Sequence, residues 1–238
     1  MSKLPVVFLG GTLCDARLWA SVFPQLPDNP IIVPDIRAAD SADDMARRLL
    51  AELPERFCLC GFSLGAIVAL HMMAQAPRRL AGLALISVNP LADRPENAPE
   101  RYKAVARARR HGMESVIDEL WPRYVDPVRF ADLTLRQTIV DMAKACGPDV
   151  FEQQTNIAIN RRDVREKLSL LSAPVLLIGG MSDPICPPER HALLAQACGQ
   201  TRWLSLPRCG HFVPLEAPQA TAEALVKWIE ESACELTH

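Results

Sequence analysis

The chain has 238 residues, 49% apolar and 5% aromatic, with 26 Lys+Arg against 28 Asp+Glu for a formal charge of −2. At roughly 100–200 residues per domain this is one large domain, or one domain with an insertion. The near-neutral balance argues against a nucleic acid or an anionic membrane as the main partner, the apolar content excludes wholesale disorder, and no apolar run reaches the roughly 18–20 residues of a membrane span.

In chain order, apolar runs alternate with helical patterns. Residues 6–10 form a short apolar run ending in Gly10-Gly11, and residues 31–33 form a second. Ser41 is placed to cap a helix over 42–52, with Met45, Leu49 and Leu50 on one face. Residues 57–62 read as a third strand, passing without a loop into a helix over 64–76 that Pro77 closes. Strands follow at 83–88 and 174–179, then a helix near 188–198, a strand at 202–206 and a final helix near 221–232. Such alternation predicts about six strands, mostly parallel, buried on both faces and joined by right-handed crossovers.

One stretch interrupts the pattern. Residues 91–172 contain no convincing strand, yet hold 14 Lys+Arg and 13 Asp+Glu, half of the chain's charges in about a third of its length. Met113, Val116, Ile117, Leu120 and Trp121 recur at helical spacing up to Pro122. A further helix is expected over 130–145, with Gly147 just past its end. This predicts a core of 1–90 and 173–238 carrying a helical cap of 91–172.

The eight cysteines (Cys14, Cys58, Cys60, Cys146, Cys186, Cys198, Cys209, Cys234) form no CxxC and no zinc-spaced cluster. Cys58 and Cys60 fit as small core residues on one strand face. Residues 1–12 carry no small-residue cleavage site before Asp15 and Arg17. Free thiols in a reducing cytosol are therefore expected.

The sharpest motif is Gly61-Phe62-Ser63-Leu64-Gly65, placed where a strand turns straight into a helix. A turn this tight crowds the positions two before and two after its centre, which favours glycine there. It also raises the serine hydroxyl above the strand edge, over a helix N-terminus that favours developing negative charge. The plainer reading is a strand–helix turn with a capping serine.

With this motif in that context, the chain resembles the α/β-hydrolase superfamily, in its cap-bearing serine hydrolase branch. The family order of nucleophile, acid and histidine implies an acid after a later strand and a histidine after the last. Asp183, in Met181-Ser182-Asp183-Pro184, and His211, in Cys209-Gly210-His211-Phe212, stand at those places. Asp93 is the rival acid, because some members carry theirs after the preceding strand. His71, His111, His191 and His238 sit on expected helices, in the charged stretch or at the terminus, and are poorer candidates for the base.

The resemblance implies an oxyanion hole from the backbone N–H groups of Leu64 and Thr12. Where many relatives carry His-Gly this chain has Gly10-Gly11, so a side chain that often braces the loop is missing. It also implies a sheet without the N-terminal hairpin common among relatives.

The expected chemistry is ester or related acyl transfer through an acyl-enzyme on Ser63. A carbon–carbon bond hydrolase or lyase with the same triad is the alternative, and a non-catalytic ligand-binding relative is a third. No metal or organic cofactor is implied. The partner is a small acyl substrate, bound by a monomer or homodimer. Its pocket is expected near Leu13, Trp19, Trp121 and Phe130, with Phe151 and Ile157 as further candidates. The run from Arg101 to His111 reads either as a docking face for an anionic group or, more plainly, as a solvated helix face.

Overall fold

The computed structural model describes residues 3–199 and 201–234. In chain order its elements are β1 (Val6–Leu9), β2 (Ile31–Ile32), α1 (Ala42–Glu52), β3 (Phe57–Phe62), α2 (Leu64–Gln75) and β4 (Leu80–Ile86). These are followed by α3 (Ala98–His111), α4 (Met113–Tyr124), α5 (Leu133–Ile159), β5 (Val175–Gly180), α6 (Pro188–Ala197), β6 (Thr201–Leu206), α7 (Val213–Glu216) and α8 (Pro218–Cys234). The six strands lie in the order β2-β1-β3-β4-β5-β6, every neighbouring pair parallel. It is the six-stranded parallel sheet with flanking helices expected from the sequence.

Strand alternation divides the core in two. Val6 and Phe8, with Cys58 and Cys60, face one apolar cluster, while Val7 and Leu9, with Phe57 and Leu59, face the other. The second cluster takes α1 and α2 through Met45, Leu49, Val68 and Met72. The first takes Trp228 of α8 and continues into Val116, Ile117 and Trp121 of α4. The helical segment between β4 and β5 therefore shares its core with the sheet. Nine of the first ten residues of α2 are buried and Ile67 is half-buried, which is why its sequence shows no polar face.

Local chemistry explains the boundaries. Ser41 Oγ accepts the N–H of Asp44 at 3.1 Å and starts α1, with Asp43 and Asp44 in its first turn. β4 begins at Leu80, ahead of the expected residue 83, because a register shift between Phe57 and Cys58 lets Leu80 and Gly82 pair with consecutive β3 residues. The helix expected from residue 130 begins instead at Leu133, where the Asp132 side chain accepts the N–H of Leu135. It does not stop at Gly147. That residue takes φ 76° and kinks the helix, and Pro148 opens a second run to Ile159. Pro122 likewise forfeits one backbone bond without ending α4, which closes at Tyr124.

Candidate active site

Every residue singled out for chemistry lies just past the C-terminal end of a strand, where the loops of a parallel sheet converge. Ser63 follows β3 with φ 51° and ψ −112°, a conformation costly for any residue with a Cβ. Its N–H is held by Ile86 O at 2.9 Å, and its carbonyl accepts the N–H groups of Ala66 and Ile67 at 3.0 and 3.1 Å. The turn leaves no room beside it. A Cβ on Gly61 would lie 2.5 Å from Gly65 O, and one on Gly65 would lie 2.4 Å from Leu9 O.

His211 and Asp183 complete a chain of hydrogen bonds. Ser63 Oγ lies 2.9 Å from His211 Nε2, and His211 Nδ1 lies 2.8 Å from Asp183 Oδ2. A carboxylate only accepts, so Nδ1 carries the proton and Nε2 is free to accept from the serine hydroxyl. Asp183 Oδ1 accepts the N–H groups of Ile185 and Cys186 at 2.8 and 2.9 Å. Burial pushes the Asp183 carboxyl up, but His211 and these two donors outweigh it and hold the group below its ordinary range. Both residues are buried, which removes competing water from the pair.

The histidine loop is held from several sides. The N–H groups of His211 and Phe212 donate to Tyr124 O at 3.0 and 3.1 Å, and His211 O accepts Ser87 Oγ at 2.8 Å. Glu216 Oε2 takes the N–H of Gly210 at 3.0 Å and that of Asp126 at 2.8 Å. Burial raises the Glu216 carboxyl, with these backbone donors opposing. None of Ser87, Tyr124 or Glu216 carried a sequence signal, because each acts across a fold contact through backbone groups.

The other histidines stand elsewhere. His71 is buried in α2 with Nδ1 3.0 Å from Asp43. His191 is fully buried on α6, and burial lowers it to about 4, so it is a neutral core residue. His111 is exposed at the end of α3, and His238 lies outside the described residues. The Asp93 side chain is buried and bonded to Arg101 and Arg161.

In the loop after β1, Leu13 takes φ 60° and donates its N–H to Gln154 Oε1 at 2.8 Å. Cys14 N donates to Gly11 O at 3.2 Å. Among the described residues the N–H groups of Thr12 and Leu64 have no acceptor. Leu13 and Trp121 are buried in the cluster that includes Phe62 and Phe212, the rings beside His211. Trp121 Nε1 donates to Phe130 O at 3.1 Å, and Phe130 is 43% exposed. Trp19 is buried edge-on to Phe8, Phe151 joins the same cluster, and Ile157 belongs to the opposite one.

The basic run on α3 is largely neutralised. Arg101, Lys103, Arg107 and Arg109 pair with Asp93, Glu100, Glu119, and Asp149 plus Glu152. Asp183, Cys186 and His211 bring ligand-type atoms within 4.8 Å of one another. Burial holds the Cys186 thiol protonated, however, and the other two groups already bond each other, so this donor set suits a hydrogen-bonded pair better than a metal. No helix of the described residues is long and apolar enough to cross a membrane.

Known proteins resemble this chain in sequence and fold. A pimeloyl-[acyl-carrier protein] methyl ester esterase of Nitrosomonas europaea is 29% identical over 202 residues, 76% of this chain and 75% of that protein. The counterpart in Aromatoleum aromaticum is 27% identical over 93% of this chain and 96% of its own length. A thermophilic esterase from Thermogutta terrifontis superposes with a TM-score of 0.88 at 27% identity, covering 97% of this chain and 91% of that one. The enol-lactonase of Burkholderia xenovorans shares the fold, at TM-score 0.86 and 20% identity over 97% of this chain and 93% of its own. The sequence profile of the alpha/beta hydrolase family matches residues 6–224, and the chain belongs to that family.

Proposed function

We propose that the protein is a serine hydrolase of carboxylic esters, acting through Ser63, His211 and Asp183. The observation that carries this is the continuous chain from Ser63 Oγ to His211 Nε2, 2.9 Å, and from His211 Nδ1 to Asp183 Oδ2, 2.8 Å.

A serine hydroxyl is a weak nucleophile until a base takes its proton. His211 Nε2 would accept that proton as Ser63 Oγ attacks the ester carbonyl, and Asp183 would steady the resulting imidazolium. The carbonyl oxygen, now negative, would be met by the N–H groups of Leu64 and Thr12 and by the N-terminus of α2. His211 then gives the proton to the departing alkoxide, leaving an acyl group on Ser63. Water, deprotonated by His211, attacks that acyl group. The carboxylic acid leaves, and the proton returns to Ser63.

The helical segment of 91–172 would serve as a cap over this site, since its α4 and α5 share an apolar cluster with the rings beside His211. The relatives are named for esters of carrier-bound acyl chains, so short methyl and p-nitrophenyl esters are the first substrates to try. The pairing of α3 cations with neighbouring acids favours the solvated-face reading of that helix over a dedicated anion-docking surface.

The test is a fluorophosphonate probe with p-nitrophenyl esters of increasing chain length. Wild type should be labelled on Ser63 and turn over at least the short esters, and Ser63→Ala should lose both. An unlabelled wild type sinks the reading. Labelling without turnover of any ester would move the assignment to carbon–carbon bond cleavage by the same triad.

A further inference from the structure

We infer that Gln154, on the second half of α5, is a positioning residue for the oxyanion hole, an inference that rests on the serine-hydrolase reading of Ser63. The loop it holds starts with Gly10 and Gly11, which bring no side chain to brace it. It then forces Leu13 into the left-handed region at φ 60°, a conformation that persists only where surroundings over-determine it.

Gln154 supplies that hold. Its side chain reaches from the cap to a residue 141 positions away, accepting the Leu13 N–H on Oε1 at 2.8 Å. Its Nε2 donates to Ile36 O at 3.0 Å, and the residue is only 3% exposed. Both partners are backbone groups of fixed polarity, one a donor and one an acceptor. The reversed amide would set donor against donor and acceptor against acceptor, so its orientation is determined.

The consequence falls on the neighbouring amide. Of three consecutive N–H groups, that of Leu13 goes to Gln154 and that of Cys14 goes to Gly11 O. The Thr12 N–H alone is left without an acceptor among the described residues, which is the condition for a preorganised donor. The same helix touches this stretch twice more. Arg17 Nη2 donates to Asp141 O at 3.0 Å, and Cys146 Sγ lies 3.9 Å from Cys14 O. The brace that relatives of this fold often carry within the loop is here delivered from the cap, so seating of α5 and assembly of the hole are one event.

An oxyanion hole acts on the transition state rather than the ground state, which gives the role a signature. Gln154→Leu should lower kcat on the order of 10- to 100-fold on a short p-nitrophenyl ester, with KM within about twofold of wild type. The rate of fluorophosphonate labelling should fall in parallel, while end-point labelling still reaches one probe per chain. Gln154→Glu keeps an acceptor for Leu13 and, when protonated, a donor for Ile36. Its kcat relative to wild type should therefore lie above that of Gln154→Leu and rise as pH is lowered. A kcat for Gln154→Leu within twofold of wild type overturns the proposal. So does a loss matched by an equal fall in end-point labelling, which marks unfolding alone, or a Gln154→Glu ratio that is flat with pH. If wild type itself is not labelled, the reading of Ser63 fails, and that result is distinct from all of these.

Discussion

Asp93 and Arg161 form a buried ion pair, Oδ1 to Nη2 at 3.0 Å, with side chains 2% and 6% exposed. Arg101 Nε adds a second bond at 2.8 Å, and Arg161 donates from Nε to Leu91 O and from Nη1 to Ala158 O. The pair joins the start of the helical segment to its end. Burial lowers the Arg161 guanidinium from its ordinary value, with Asp93 opposing. Removing one partner strands the other charge away from water, at a cost of about 3–5 kcal/mol. Asp93→Asn is therefore expected to shift the urea midpoint strongly downward while leaving kcat per folded molecule close to wild type. A large fall in kcat with an unchanged midpoint would give Asp93 the acid role instead.

Asp183→Asn should do the opposite. The asparagine can offer an N–H toward His211 Nδ1, which favours the tautomer with its proton on Nε2, where it cannot accept from Ser63. The expected loss is ~10⁴-fold in kcat with a small change in KM. Steady-state rates corrected by active-site titration measure it. A loss below about tenfold would detach Asp183 from the mechanism.

Gly65→Ala tests the turn itself. The new methyl would stand 2.4 Å from Leu9 O and 2.5 Å from Gly10 O, backbone atoms at the end of β1 and the start of the loop that follows it. Neither can retreat without moving β1. The variant should lose folded yield or unfold at least several degrees lower, consistent with an overpacking cost of about 1–3 kcal/mol or more. Recovery of a soluble variant with wild-type melting and kcat would contradict the packing described.

Asp43 predicts a pH dependence of stability. Arg162 grips its carboxylate with bonds of 2.7 and 2.8 Å, and His71 lies 3.0 Å away, so its pKa is held far below the ordinary carboxylate range despite partial burial. A folded-state value depressed below the unfolded one of about 3.9 stabilises the protein above that pH, and the contribution is lost as pH falls. Asp43→Asn should therefore be less stable than wild type at pH 7, and the gap should close progressively below about pH 4. Urea midpoints of both proteins across that range measure the gap. A gap that widens on acidification has the wrong sign and refutes the assignment.

Much of this was legible in the chain because it is local. A run of apolar residues entering Gly61-Phe62-Ser63-Leu64-Gly65 describes a strand, a crowded turn and a helix without reference to anything distant. β3 and α1 fall where composition and capping put them. Asp183 and His211 were nominated by the order the family resemblance implies, and the fold brings His211 to Ser63 and Asp183 to His211. Where the reading slipped, a nonlocal or single-residue effect decided: a register shift advanced β4, and Gly147 bent α5 rather than ending it.

Sequence alone thus determined the fold class and the position of the sharp serine turn, since apolar periodicity and turn chemistry are written in neighbouring residues, while the resemblance to a family nominated Asp183 and His211 as its partners. Only the tertiary structure sets Asp183 against His211 and leaves Asp93 in the grip of Arg101 and Arg161. It alone placed Gln154 against Leu13, Glu216 against Gly210 and Tyr124 against His211. Those contacts join side chains or carbonyls to backbone amides in other segments. Backbone groups are the same at every residue, so no pattern along the chain can say which of them will meet.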